Sequence, residues 1–257
     1  MEPHDGQTIE IGAVIIGDEI LSGKRRDRHQ ANLTAALAEK GLELAWLRIV
    51  GDDPARLTRT FRETADTGAE VFSFGGIGAT PDDRTRACLA EALGLSLRPH
   101  PEFIELLERR FGDEARPHRV RMADLPQGAE LIPNPVNGIP GFSCARHHCV
   151  PGFPDMAEPM ARWVLDRRFP GRDASAGAVE EGLTLEGVTE SRLVPLLEAM
   201  ETDFPDLRIS CLPRMRDGAP QVELGLRGPA ARVTEARAAL RQRLIEGGFL
   251  VAGRSDA

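Results

Sequence analysis

The sequence predicts a doubly wound α/β protein with a mainly parallel sheet, followed by a small α+β domain. Three observations lead there. Short apolar runs alternate with helical patterns over about the first 160 residues, the order expected of βαβ units. The run Val71-Phe72-Ser73-Phe74 enters the glycine-rich stretch Gly75-Gly76-Ile77-Gly78 before a helical pattern begins. From Pro170 to Ala178 the composition turns to Gly, Ala, Ser, Pro and Asp without periodicity, and beyond it the element order changes.

Taken in order, Ile9 to Ile16 reads as an apolar strand ending in the acidic tip Gly17-Asp18-Glu19. Acidic residues at the carboxyl end of a first parallel strand lie where open α/β sheets bind ligands. Gln30 to Lys40 is a helix with Leu33 and Leu37 on one face and Gly41 as its stop. Leu42 to Val50 is a second strand, and Asp53-Pro54 opens a helix to Thr67, so Asp52 and Asp53 read as structural. Val71 to Phe74 is the central strand, Pro81 fits the first turn of the next helix, and Pro101 to Phe111 is amphipathic. Residues 113 to 121 read as a surface excursion. Ala129 to Ile132 is a short strand, Phe142 to Val150 a hairpin or strand, and Pro154 starts a helix through Trp163 and Leu165. These elements delimit an α/β domain over 8–169, a linker over 170–178 and a small domain over 179–250. In the last, strands at Gly182–Val188, Leu207–Pro213 and Gln221–Arg227 alternate with helices at Glu190–Glu201 and Pro229–Glu246.

The chain has 257 residues, a formal charge of −8 and a pI near 5.4, which argues against non-specific nucleic-acid binding. No apolar run has the length of a bilayer span and the first residues lack a signal-peptide pattern, so a cytoplasmic location is expected, with no membrane partner. Four cysteines in a chain of this length imply reduced thiols rather than a disulfide framework. Cys144-Ala-Arg-His-His-Cys149 lacks the second ligand pair of a closed zinc site, and His147 and His148 would face opposite ways on a strand.

The chemistry concentrates at the glycine stretch. A strand running through glycines toward a helix leaves N–H groups unpaired and allows a ligand to approach closely, which suits phosphate. Asp82 and Asp83 at the same turn would repel phosphate unless a cation stood between them, and carboxylates suit a hard ion such as magnesium. A plain strand-to-helix turn with a capping Asp is the alternative.

Several motifs in order, Gly17-Asp18-Glu19-Ile20-Leu21-Ser22-Gly23, Val50-Gly51-Asp52-Asp53 and Gly75 through Thr85, resemble the molybdopterin-binding family of MoaB and MogA. Asn134-Pro135-Val136-Asn137-Gly138-Ile139-Pro140-Gly141-Phe142 and Pro151-Gly152-Phe153-Pro154-Asp155-Met156 look most like its CinA branch, and the small domain resembles the KH-like region that follows there. The resemblance implies a three-layer α/β/α sandwich, assembly as a dimer or trimer, and a phosphorylated pterin or adenine dinucleotide-diphosphate as ligand. It implies adenylylation of molybdopterin or pyrophosphate hydrolysis with magnesium or another divalent metal; a binding protein without turnover is the alternative. By motif, Gly75, Gly76 and Gly78 would hold phosphate with Thr80 supporting the loop, and Asp18, Glu19 and Asp83 would place the metal. Asp83 and Asp18 would serve catalysis. Gly17, Asp82, Asn134, Gly138, Pro151, Gly152 and Pro154 would complete the ligand site. Two departures stand out: Ala79 replaces the proline usual after the last glycine, and Asp27-Arg28-His29 stands where relatives carry Asn after Asp. The chain has no room for the further domain that gives full-length CinA its nicotinamide mononucleotide deamidase activity, which is not expected here.

Overall fold

The computed structural model describes residues 10–174, 177–249 and 251–252. It divides into two compact units, residues 1–174 and 175–257. Ile9, at the start of the expected first strand, and residues 175 and 176 of the expected linker lie outside the described residues.

In the first unit the chain forms β1 (Ile11–Ile16), α1 (Asp18–Leu21), α2 (His29–Ala38), β2 (Trp46–Val50), α3 (Pro54–Asp66), β3 (Glu70–Phe74) and α4 (Thr85–Ala92). Then come β4 (Leu97–Pro99), α5 (Pro101–Phe111), two 3-10 turns, β5 (Asp124–Pro126), β6 (Glu130–Ile132), β7 (Gly141–Cys144), β8 (His147–Val150) and α6 (Pro154–Arg168). Six strands make one sheet in the order β2-β1-β3-β8-β7-β6. The pairings from β2 through β8 are parallel, whereas β7 and β6 add antiparallel.

The period-2 alternation of the strands builds two cores. Ile11, Ala13, Ile15, Phe72 and Phe74 face Leu33 and Leu37 of α2 and Met160, Val164 and Leu165 of α6. Val14, Ile16 and Val71 face Leu57 and Phe61 of α3, Leu89 of α4 and Leu107 of α5. Strands buried on both faces between helices are the mark of a three-layer sandwich. At about 1.5–3 kcal/mol for each fully buried large apolar side chain, these two interfaces dominate the unit's stability.

Local chemistry sets the helix starts. Asp53 accepts the Arg56 N–H at 2.9 Å and caps α3, with Pro54 in the first turn. Asp27 accepts the N–H groups of His29 and Gln30 at 2.9 and 3.0 Å ahead of α2. Pro81 differs from expectation: α4 begins only at Thr85, because Thr80 and Asp83 close a separate turn first. The expected surface excursion is instead a folded flap. β4 pairs antiparallel with β5, and Ala115, Ala123 and Leu125 are buried beneath it.

His147 and His148 on β8 do face opposite layers. His147 bonds Thr64 across 2.9 Å and meets Phe61 edge-on, while His148 bonds Ser143 and Glu70 and packs on Phe72. Burial, helped by the neighbouring His148 and opposed by Glu70, pushes the His147 imidazole down to about 4. An unfolded histidine titrates near 6.5, so between these values the unfolded chain binds more protons and stability rises with pH. This contribution is complete above pH 6.5 and is lost as pH falls toward 4. Urea unfolding at pH 7 and pH 4.5 should differ by roughly 2 kcal/mol from this ring. His29, also pushed down chiefly by burial, acts in the same direction. His147→Phe should flatten the slope; an unchanged slope would assign it elsewhere.

The second unit comprises β9 (Val179–Glu186), α7 (Glu190–Asp203), β10 (Arg208–Arg216), β11 (Ala219–Gly228), α8 (Ala230–Glu246) and β12 (Val251–Ala252). Its antiparallel sheet runs β10-β11-β9-β12. Leu185, Val222 and Leu224 meet Leu193 and Met200 of α7 and Val233, Leu240 and Leu244 of α8 in its own core. Asp217 and Gly218, both at positive φ, make the β10–β11 turn.

Candidate functional site: the carboxyl edge of the sheet

The sheet order reverses between β1 and β3, the chain having passed from β1 outward to β2 and then back to β3. A crevice opens at such a switch point beyond the carboxyl ends of the strands. Gly17 N–H bonds the Val50 carbonyl and Gly75 N–H the Val150 carbonyl, each at 3.0 Å, so the ends of β1, β2, β3 and β8 meet there.

The elbow after β3 is held from one side. Thr85 Oγ1 donates to the Gly75 carbonyl at 2.9 Å, and the Thr85 N–H donates to the Gly76 carbonyl at 3.0 Å. The Arg86 guanidinium donates to the carbonyls of Ile77 and Gly78 at 2.5 and 2.6 Å. Burial pushes the Arg86 pKa down while Asp83 and Asp124 pull it up, and only 8% of the residue is exposed. Four successive carbonyl oxygens therefore point toward α4. Among the described residues, the N–H groups of Gly76, Ile77, Gly78 and Ala79 donate to no protein acceptor. Consecutive free N–H groups of this kind form a concavity suited to an anion.

The glycines are required by contact as well as by φ. At Gly75 (φ +106°) a Cβ would lie 2.5 Å from the Ile16 carbonyl oxygen, and at Gly76 (φ +66°) it would lie 2.4 Å from Thr85 Oγ1. At Gly78 a Cβ would lie 2.4 Å from Asp83 Oδ2. Gly152 passes so close that its Cβ would be 3.3 Å from Gly75 Cα, which joins the Pro151–Pro154 loop to the elbow. Pro154 itself occupies the first turn of α6. His29 is buried, stacks on Phe74 with ring centroids 4.6 Å apart, and lines the same cleft as Gly152, so it lies against this loop.

The acidic tips interlock. Asp18 N–H donates to Asp52 Oδ2 at 3.0 Å, and Asp52 N–H donates to Asp18 Oδ1 at 3.3 Å. Burial raises the Asp52 carboxyl, the charges of Asp18, Glu19 and Asp82 raise it further, and the Asp18 N–H opposes them. Asp52 thus joins the acidic tip, besides its structural role beside the Asp53 cap. Asp83 has a different setting: its Oδ2 accepts both the N–H and the hydroxyl of Thr80, at 2.9 and 2.5 Å. Among the described residues no three His, Cys, Asp or Glu side chains are grouped closely enough to hold a metal ion. Asp18, Glu19 and Asp83 accordingly form no ready-made cage.

Asn134 and Gly138 lie in the loop after β6. Asn134 is 6% exposed; its Oδ1 accepts from Val136 and Asn137, and its Nδ2 has no partner among the described residues. Gly138, at φ +69°, donates its N–H to the Asn134 carbonyl. Between the tip of β1, the Arg25–His29 segment and Gly152–Pro154 lies a cleft of about 80 Å³.

Thr85 and Arg86 were missed by sequence reasoning. Their signal was available: an arginine one residue into a helix, on the face carrying Leu89 and Ala90, is a cation inside the protein and must find acceptors there.

Residues 12–170 match the family described as a probable molybdopterin binding domain. The chain belongs to the molybdopterin-binding domain family. A CinA-like protein of Geobacter sp. (strain M21) is 31% identical over 95% of this chain and 60% of its own length. A protein of Pyrobaculum arsenaticum is 28% identical over 91% of this chain and 92% of its own. Among solved structures, that of the protein CinA of unknown function from Thermoplasma acidophilum covers 63% of this chain and 99% of its own. Its TM-score is 0.58 at 27% identity. The chain spans about half to three-fifths of the length of the CinA-like relatives it matches. The molybdopterin-binding domain accounts for the first unit, and the CinA-like relatives extend the similarity over most of the chain. Among the described residues no helix is long and apolar enough to cross a membrane.

Proposed function

We propose that this chain binds a phosphorylated pterin of the molybdopterin type, or an adenine dinucleotide-diphosphate, and acts on its phosphoanhydride. The outward row of N–H groups from Gly76 to Ala79 carries the reading, because it offers donors to a phosphate while α4 holds the loop rigid from behind. Phe153, 58% exposed next to Gly152, provides a face for a flat ring.

The interlocked carboxylates of Asp18 and Asp52, with Glu19 beside them, are the oxygen type magnesium takes, and magnesium commonly uses one or two carboxylates plus substrate phosphate. Bound there, it would neutralise charge developing on the phosphoryl oxygens. The elbow fixes the phosphate, Asp83 keeps the elbow's exit closed through Thr80, and Asp18 with Glu19 orients the metal or the attacking group. Positioning and charge neutralisation supply most of what phosphoryl transfer asks of a protein.

Titration calorimetry with ATP, ADP-ribose, FAD and molybdopterin, with and without magnesium, tests the reading, followed by product assays. Asp18→Asn should reduce turnover roughly 100-fold with little loss of affinity, the pattern of lost charge stabilisation in the transition state. Binding that ignores Gly76→Val would remove the elbow from the account. A binding protein without turnover is favoured by one observation, the lack of a three-ligand group among the described residues; saturable binding with no product would select it. The reading includes assembly as a dimer or trimer, checked by light scattering.

A further inference from the structure

Ser143, His148 and Glu70 form a continuous chain of side-chain hydrogen bonds away from the carboxyl-edge site. Ser143 Oγ stands 2.8 Å from His148 Nδ1, and His148 Nε2 stands 2.8 Å from Glu70 Oε2. Ser143 and His148 are directly paired across β7 and β8, whereas Glu70 opens β3. Glu70 and Gly75 bracket β3, so the two sites are separated by roughly 16 Å at about 3.3 Å per residue.

The Glu70 carboxylate only accepts, so a ring hydrogen stands on His148 Nε2, and Nδ1 is the atom turned to the Ser143 hydroxyl. Burial alone would raise Glu70, but its hydrogen bonds from His148 and Arg168 outweigh this and hold the carboxyl at about 2. Arg146 and Arg168 also donate to Glu70, at 3.0 and 2.5 Å, and fix its orientation. The imidazole is 2% exposed, while Ser143 is only half-buried and opens on a cleft of about 120 Å³. Trp163, Arg167 and Arg168 of α6 form one wall of that cleft, with the Arg167 guanidinium 4.9 Å over the Trp163 ring. A nucleophile, a base in hydrogen-bond reach and a third group orienting the base is the arrangement of activated-serine catalysis, here with the two ring nitrogens in exchanged roles.

We infer that Ser143 is the nucleophile of a second site, which cleaves small carboxylic esters bearing a negative charge. Ser143 Oγ attacks the ester carbonyl carbon as its proton passes to His148 Nδ1. The carbonyl–alkoxy bond then breaks, and the alcohol leaves with that proton. Water repeats the sequence on the acyl-serine, giving its proton to Nδ1 and releasing the acid and free Ser143. Arg167 on the cleft wall matches the anionic group of the substrate, Arg168 stays on Glu70, and Glu70 is a positioning residue.

The test uses the full chain with a fluorophosphonate probe, peptide mass spectrometry to locate the label, and the mono-p-nitrophenyl ester of glutaric acid, anionic at neutral pH, as the turnover substrate. Labelling is expected at Ser143, with ester hydrolysis roughly 100-fold above that of Ser143→Ala, which removes only a hydroxyl. His148→Phe should lose labelling by a similar factor. Glu70→Gln should lower the rate at saturating probe while leaving the half-saturating probe concentration unchanged, a split that simple loosening would not give. Circular dichroism melts confirm that each variant is folded at the assay temperature. No label on the folded wild-type chain, equal labelling of Ser143→Ala, or full labelling of His148→Phe would each overturn the assignment.

Discussion

Gly75→Ala is expected to destabilise the first unit by about 3 kcal/mol or more and to abolish phosphate-ligand binding. Two effects add. The residue holds φ +106°, a conformation that L side chains rarely adopt, and its new methyl group would meet the Ile16 carbonyl oxygen at 2.5 Å. The obstacle is backbone of β1, so relief requires parting β1 from β3 at their paired ends, where Ile15 pairs with Phe74. Gly68→Ala and Gly94→Ala separate the contributions. Both positions have positive φ, at +71° and +66°, and a methyl group added at either would have nothing within 4 Å. They should cost only about 1 kcal/mol. Urea denaturation measures all three, and equal losses would show that the collision at Gly75 is absorbed without cost.

Arg86→Ala is expected to cost about 3 kcal/mol and to weaken ligand binding roughly 100-fold, though Arg86 itself would not touch the ligand. Its guanidinium donates to two carbonyls of the elbow, and charge-assisted hydrogen bonds are the stronger kind. Alanine leaves both oxygens without their donor and frees Ile77 and Gly78 to rotate. Arg86→Lys should recover part of the stability but little of the affinity, because a single ammonium cannot reproduce the rigid planar fork. Chemical denaturation and calorimetric binding together decide it. Wild-type affinity in a folded Arg86→Ala chain would mean that the elbow keeps its shape unaided.

The parts of this molecule that were legible in the sequence are those whose causes are local. Val71 to Phe74 announces a buried strand by composition, Asp53-Pro54 a helix start by capping chemistry, and Arg216-Asp217-Gly218 a turn. Pro81 misled because a proline at a helix start and a proline in the preceding turn look alike; the Thr80–Asp83 bonds decide between them. Asp52 read as structural since its neighbour Asp53 caps α3, and only the parallel pairing of β1 with β2 brings it against Asp18. The Ser143–His148–Glu70 chain spans 78 positions between its histidine and its glutamate, so no spacing rule could have suggested it. The folded flap over 112–126 likewise depends on the β4–β5 pairing, which the residues permit without dictating, whereas the β7–β8 hairpin was one of the two readings of Phe142 to Val150.

The inward turn of the elbow's carbonyls sorts the loop electrically. The carbonyls of Gly75 to Gly78 are taken by Thr85 and Arg86 of α4, while the N–H groups of Gly76 to Ala79 donate to no acceptor among the described residues, so this stretch has donors left over and few acceptors. In the proposed binding mode, a positive ion would be met by carboxylates, those of Asp18, Glu19 and Asp52 at the tips of the first two strands. Should that mode hold, the elbow would meet the negative part of a ligand and the acidic tips its counter-ion, each with groups already held in place.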